Sequence, residues 1–88
     1  ISKLENQLLA SGEFEKIIKF YEYQENGVQG EIDLLGLKKD STYFYEIKSN
    51  YTIRARIKAK LQFEKFKRAF PKTHAIGYLY CGGGLIQL

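Results

Sequence analysis

Gly30-Glu31-Ile32-Asp33-Leu34-Leu35-Gly36-Leu37 runs into Lys38-Lys39-Asp40-Ser41 and then Thr42-Tyr43-Phe44-Tyr45-Glu46-Ile47-Lys48. The outer runs are apolar and rich in β-branched or aromatic residues, and the polar tetrapeptide between them has turn chemistry. They therefore read as two strands of a hairpin. Each is interrupted by an acid: Asp33 between Ile32 and Leu34, Glu46 between Tyr45 and Ile47. Residues two apart in a strand share a face, so Glu46 and Lys48 project side by side. Burying two carboxylates and an ammonium is costly unless they are paired or hold a cation. One arrangement is a structural ion pair in which Lys48 neutralises one acid. The other is a small pocket of net negative charge, which suits a hard divalent ion such as Mg²⁺. That ion takes one or two carboxylates and fills its remaining positions with water and substrate phosphate. A lysine beside it can orient a water and offset charge on phosphate oxygens.

Asp33 on one strand, with Glu46-Ile47-Lys48 on the next across a tight loop, resembles the motif of the PD-(D/E)XK nuclease superfamily. Its fold is shared by many restriction enzymes and by archaeal Holliday-junction resolvases. Ile32 stands where the motif usually has proline. The resemblance implies Mg²⁺, with Mn²⁺ able to substitute, bound by Asp33 and Glu46 together with the Ile47 carbonyl and Glu5. Glu5 is named because archaeal resolvases are similar in carrying a glutamate on their first helix near the site. Lys48 would orient the attacking water and stabilise the transition state. Gln62 enters because several branches of the superfamily place a glutamine on the following helix, reaching toward the catalytic lysine.

Eighty-eight residues suffice for one domain with a single core, and 44% hydrophobic with 27% charged residues is ordinary for a globular chain. No apolar run approaches a membrane span and no secretory signal pattern is present, so no membrane partner is expected. The lone Cys81 offers neither an internal disulfide nor zinc-site spacing, which points to a reducing, intracellular location in cytoplasm or nucleoid. The chain starts at Ile1 and holds no methionine, so we expect its original start to lie upstream. Net charge is +4, but unevenly spread: residues 1–47 carry five lysines against nine acids, and residues 48–88 nine Lys or Arg against Glu64 alone. An acidic centre beside a basic second half suits an enzyme that holds a metal in one place and a polyanion in another.

Along the chain, Ser2 to Ser11 reads as a helix with Ser2 as its cap and Gly12 after its end. Phe14 to Gln24 reads as the first strand, with alternation too imperfect to assign faces. Glu25-Asn26-Gly27 is a turn, and strands follow over Val28–Leu37 and Thr42–Ser49, a meander with the acids near its middle. Ile53 to Phe70 is the main helix, with Ala55, Ala59, Phe63, Phe66 and Phe70 forming one apolar face and Pro71 ending it. Thr73 to Cys81 is nearly all apolar and is expected to be a parallel strand buried on both faces. His74 at its start is poorly placed for a general base. Gly82-Gly83-Gly84 leads to a short last strand, Leu85–Leu88.

The main helix carries Arg54, Arg56, Lys58, Lys60, Lys65, Lys67 and Arg68 with Glu64 as its only acid. Arg54, Arg56, Lys58 and Lys60, with Ser49 and Asn50 at the strand exit, are the expected DNA contacts, made to phosphates rather than to bases. Ile57 and Leu61 lie off the alanine–phenylalanine face; they would pack under the first helix or meet a second copy in a homodimer.

These readings predict an α/β domain over residues 1–88 with a restriction-endonuclease-like core: α-β-β-β-α-β, a mixed sheet flanked by helices. The expected activity is Mg²⁺-dependent endonucleolytic hydrolysis of DNA, leaving a 5′ phosphate and a 3′ hydroxyl. Four-way junctions or other branched DNA are the favoured substrates. The alternatives are a nuclease of the same fold acting on single-stranded ends or flaps, and a DNA-binding module that has lost catalysis.

Overall fold

Asn26 and Gly27 take positive φ values of 51° and 73° and turn β1 (Lys16–Glu25) back onto β2 (Val28–Leu37). This is the two-residue hairpin loop that Asn-Gly favours, because its backbone twist matches that of the flanking strands. A computed structural model of the chain describes residues 2–88. The remaining elements are α1 (Ser2–Ser11), β3 (Thr42–Ile47), α2 (Ile53–Ala69), β4 (Ala75–Cys81) and β5 (Gly84–Gln87). The strands form one five-stranded sheet in sequential order. Only β3 and β4 run parallel; the other neighbours are antiparallel. The α/β class, the mixed sheet and the element order all follow the sequence reading.

Consecutive strand residues point to opposite faces, and Phe44 and Tyr45 of β3 enter different cores. Phe44 packs with Leu35, Phe63, Phe66 and Ala69, on the face covered by α2. Tyr45 packs with Leu4, Leu34 and Tyr80, on the face covered by α1. Helix α2 starts at Thr52, whose hydroxyl oxygen accepts the Ala55 N–H at 2.9 Å, a side-chain cap for one of the unpaired amides of the first turn. It stops at Phe70, ahead of Pro71. Ala69 is buried where Phe70 was expected to be; Phe70 is half-buried at the cap and tilts against Phe66 at 5.1 Å.

The sheet departs from the sequence reading at several ends. β1 begins at Lys16 because Phe14 turns aside to meet the Tyr43 ring edge-on at 5.3 Å, with the Lys38 ammonium over both rings. β3 ends at Ile47, although the Lys48 N–H still donates to the Tyr80 carbonyl at 3.0 Å. In β4 the two-sided burial holds for Leu79, Tyr80 and Cys81 but not for Ala75, Ile76 and Tyr78, which are half-buried. Helix α1 has ten residues, so it is only about 15 Å long and cannot cover its whole face of the sheet.

The β1–β2 ribbon turns over midway. Ile18 and Tyr21 lie against the same core, as do Ile32 and Leu35, although residues three apart in a regular strand face opposite ways. The pairing register is constant along the ribbon and lacks one pair, Phe20 with Asp33. Phe20 there has φ 53°, outside the β region. This reversal is the reason the alternation in β1 looks imperfect. Lys19 faces Glu5 of α1 at 3.5 Å, while Tyr23, four residues on, is buried beside Phe66 of α2 at 5.7 Å.

Candidate functional site

The β2–β3 ladder pairs Leu37 with Thr42, Gly36 with Tyr43, Leu35 with Phe44 and Leu34 with Tyr45, and then stops. The next pair in that register is Asp33 with Glu46. At this point the strands part, and an Asp33 carboxylate oxygen (Oδ2) accepts the Ile47 N–H at 2.9 Å. The side chain takes over the role of the missing ladder bond, so no amide is left orphaned where the sheet forks. The acids thus stand just beyond the end of the β2–β3 pairing, not in the middle of a regular meander. Both face α2: Glu46 shares the face of Phe44, two residues earlier.

A cleft of about 340 Å³ opens there, lined by Glu31, Asp33, Glu46, Lys48, Lys58, Ala59 and Gln62. Ala59 is fully buried, packed with Leu79 and Cys81, which brings α2 close to the sheet. Lys58 and Gln62, four apart on the helix, are neighbours along its flank and supply the cleft's other wall. The three groups singled out from the sequence, Asp33, Glu46 and Lys48, therefore share one cavity. None of the ion pairs among the described residues includes Asp33, Glu46 or Lys48.

The Glu46 carboxyl is pushed up to about 8, first by burial and then by its hydrogen bond to Asp33 and the charge there. The Lys48 ammonium pulls the other way and Glu31 adds to the push. Two facing carboxylates that cannot both ionise comfortably behave this way, and a cation between them would relieve the repulsion. The donor set fits Mg²⁺ as an ion that keeps much of its water and needs only one or two carboxylates. Among the described residues no group of three or more Asp, Glu, His or Cys forms a fuller cage.

The other expected site residues divide. Gln62 and Lys58 line the cleft, whereas Arg54, Arg56 and Lys60 are exposed on α2 outside its lining, and Ser49 and Asn50 are exposed in the loop beyond Lys48. Glu5 is brought to Lys19 and is not among the residues lining the cleft. The Ile47 N–H is committed to Asp33. Glu31 was missed. Its spacing of two from Asp33 gave no signal, because face alternation is not kept where the ribbon turns over. Ile57 and Leu61 are 55% and 62% exposed, on the side of the sheet away from α1, and do not pack under that helix. Ile53, one turn earlier, is 72% exposed and extends them into a stripe. No described helix is long and apolar enough to cross a membrane.

No family model and no curated protein matches the chain. Among solved structures it is similar to a crystal structure described as a protein of unknown function, AF1548, with a TM-score of 0.68 and 18% sequence identity. The match covers 89% of this chain but 43% of that one, so the chain spans less than half the length of its structural neighbour. At that identity the likeness is one of fold alone.

Proposed function

We propose that this chain is a Mg²⁺-dependent endodeoxyribonuclease with a restriction-endonuclease-like core. The observation that supports it is the facing of Asp33 and Glu46 at the fork of β2 and β3, with Lys48 in the same cleft. Asp33 and Glu46 would hold Mg²⁺, which would supply Lewis acidity toward a phosphate oxygen. The hydrogen bond from the Ile47 N–H keeps one Asp33 oxygen in place. Lys48 orients the attacking water and offsets charge gathering on the phosphate. Gln62 and Lys58 close the α2 side, Lys58 as a point charge for the phosphate backbone. Water adds to phosphorus as the bond to the 3′ oxygen breaks, leaving a 5′ phosphate and a 3′ hydroxyl.

The favoured substrates are intracellular four-way junctions and other branched DNA, bound through the cations of α2. The Ile57 and Leu61 face is the proposed contact with a second copy. The test is incubation with junction, flap and linear duplex DNA in Mg²⁺, Mn²⁺ or EDTA. Cleavage needing the ion and lost in Asp33→Asn is expected. No cleavage of any substrate with either ion defeats the enzyme reading, and cleavage surviving Asp33→Asn defeats the site.

A further inference from the structure

Phe20 combines two costs that a strand residue ordinarily avoids. Its φ of 53° lies in the left-handed region, where a bulky side chain is an outlier and glycine is not. Its ring, 57% exposed, recovers little of that cost by burial. The ribbon reversal accounts for the backbone, because Tyr21 and Tyr23 must reach the α2 core while Lys19 faces α1. It does not account for the side chain, since glycine or asparagine would make the same turn more cheaply. Strained conformations that persist tend to mark functional positions.

The place of Phe20 supplies the function. Extending the register of the flanking pairs puts it opposite Asp33, and Asp33 opposite Glu46, although neither pair is itself formed. One cross-strand row therefore holds an exposed aromatic on the edge strand and then the two acids of the cleft. The pairs on either side of Phe20, Lys19 with Leu34 and Tyr21 with Ile32, are formed and hold its backbone beside Asp33, at roughly the 5 Å Cα spacing of cross-strand neighbours. Phe20 lies outside the residues that line the cleft, at the distance of a base next to a phosphate bound there.

We infer that Phe20 stacks on an unpaired base adjoining the phosphate that enters the Asp33–Glu46 cleft. This rests on the nuclease reading and makes it more specific: the substrate class is DNA with an unstacked base at the cleavage point, such as a branch, flap or frayed end. A fully stacked duplex offers no base face to the ring. Stacking is tolerant of base identity, so the preference is for strandedness and not sequence.

The test compares wild type, Phe20→Gly and Phe20→Trp in EDTA, by fluorescence anisotropy and 2-aminopurine emission. The two probes are a perfect duplex and the same duplex carrying one unpaired 2-aminopurine. Glycine suits the positive φ, so Phe20→Gly folds and melts no lower than wild type. We expect it to lose about ten-fold in affinity for the unpaired-base probe, the order of one stacked base, with duplex binding unchanged. We also expect loss of the 2-aminopurine signal, and retention of both by Phe20→Trp. Equal affinity of wild type and Phe20→Gly for the unpaired-base probe, or an equal loss on both probes, overturns the inference. Wild type that shows the Phe20-dependent signal but cleaves nothing in Mg²⁺ upholds the stacking and sinks the nuclease reading.

Discussion

At the scale of single residues, Glu46 holds the most exposed consequence of the proposal. Its carboxyl is raised from 4.5 to about 8. Between those values the folded protein keeps a proton that the unfolded chain has released. Stability is then full below the unfolded value and declines as pH rises through the folded one. Thermal melts should therefore drop between about pH 5 and pH 8 in the wild type and flatten in Glu46→Gln. Mg²⁺ binds the ionised pair, so it should restore the melting temperature at the alkaline end in wild type and not in Glu46→Gln. A wild-type curve that rises with pH over that range would remove the basis for a crowded acid pair. Asp33 separates charge from support. Asp33→Asn keeps an oxygen for the Ile47 N–H, so it should lose cleavage with little change in melting. Asp33→Ala leaves that amide unpaired and should cost about 1–3 kcal/mol besides; denaturant titration of the two variants distinguishes them.

At the scale of elements, the position of α2 sets the width of the cleft. A Cβ at Gly77 of β4 would lie 2.7 Å from the Phe63 ring, so Gly77→Ala forces helix and sheet apart. Overpacking of this kind costs about 1–3 kcal/mol, and it should also weaken Mg²⁺ binding, read by titration calorimetry, because Lys58 and Gln62 ride on the same helix. Unchanged stability with unchanged metal affinity would show that α2 does not gauge the cleft. Much of this element was legible in the chain: the alanine–phenylalanine spacing marked its buried face and Pro71 its end. The Asn26-Gly27 hairpin was equally plain, since local backbone preference settles it. The reversal of the β1–β2 ribbon was not, because the packing of Tyr21 and Tyr23 imposes φ at Phe20 against its own preference. The same limit applies to Glu5. The resemblance to archaeal resolvases suggested a place near the site, but only the packing of α1 against β1 assigns it to Lys19. Asp33, Glu46 and Lys48 could be grouped because period-two geometry and hairpin pairing act over a few residues. The fork that makes room between them is a property of the assembled sheet.

At the scale of the whole molecule, charge puts two proposals in competition. Arg54, Arg56, Lys58 and Lys60 alternate with Ile53, Ile57 and Leu61 on one helix, and the net charge of the chain is +4. A second copy meeting that stripe would bring like charges together, with Glu64 the only acid on the helix. A DNA backbone would instead find its counter-charge there. Salt separates these uses. Each duplex phosphate neutralised adds about −0.9 to the slope of log affinity against log salt. Engagement of all four cations thus gives roughly −3 to −4, and Arg54→Ala with Arg56→Ala should reduce it by about 2. Self-association has the opposite sign, since added salt screens cation repulsion while leaving the apolar contact in place. Sedimentation across a salt series should therefore show dimer growing as DNA affinity falls, with Ile57→Glu abolishing the dimer. If association instead weakens with salt alongside DNA binding, the stripe is not the subunit contact, and the cations of α2 serve the nucleic acid alone.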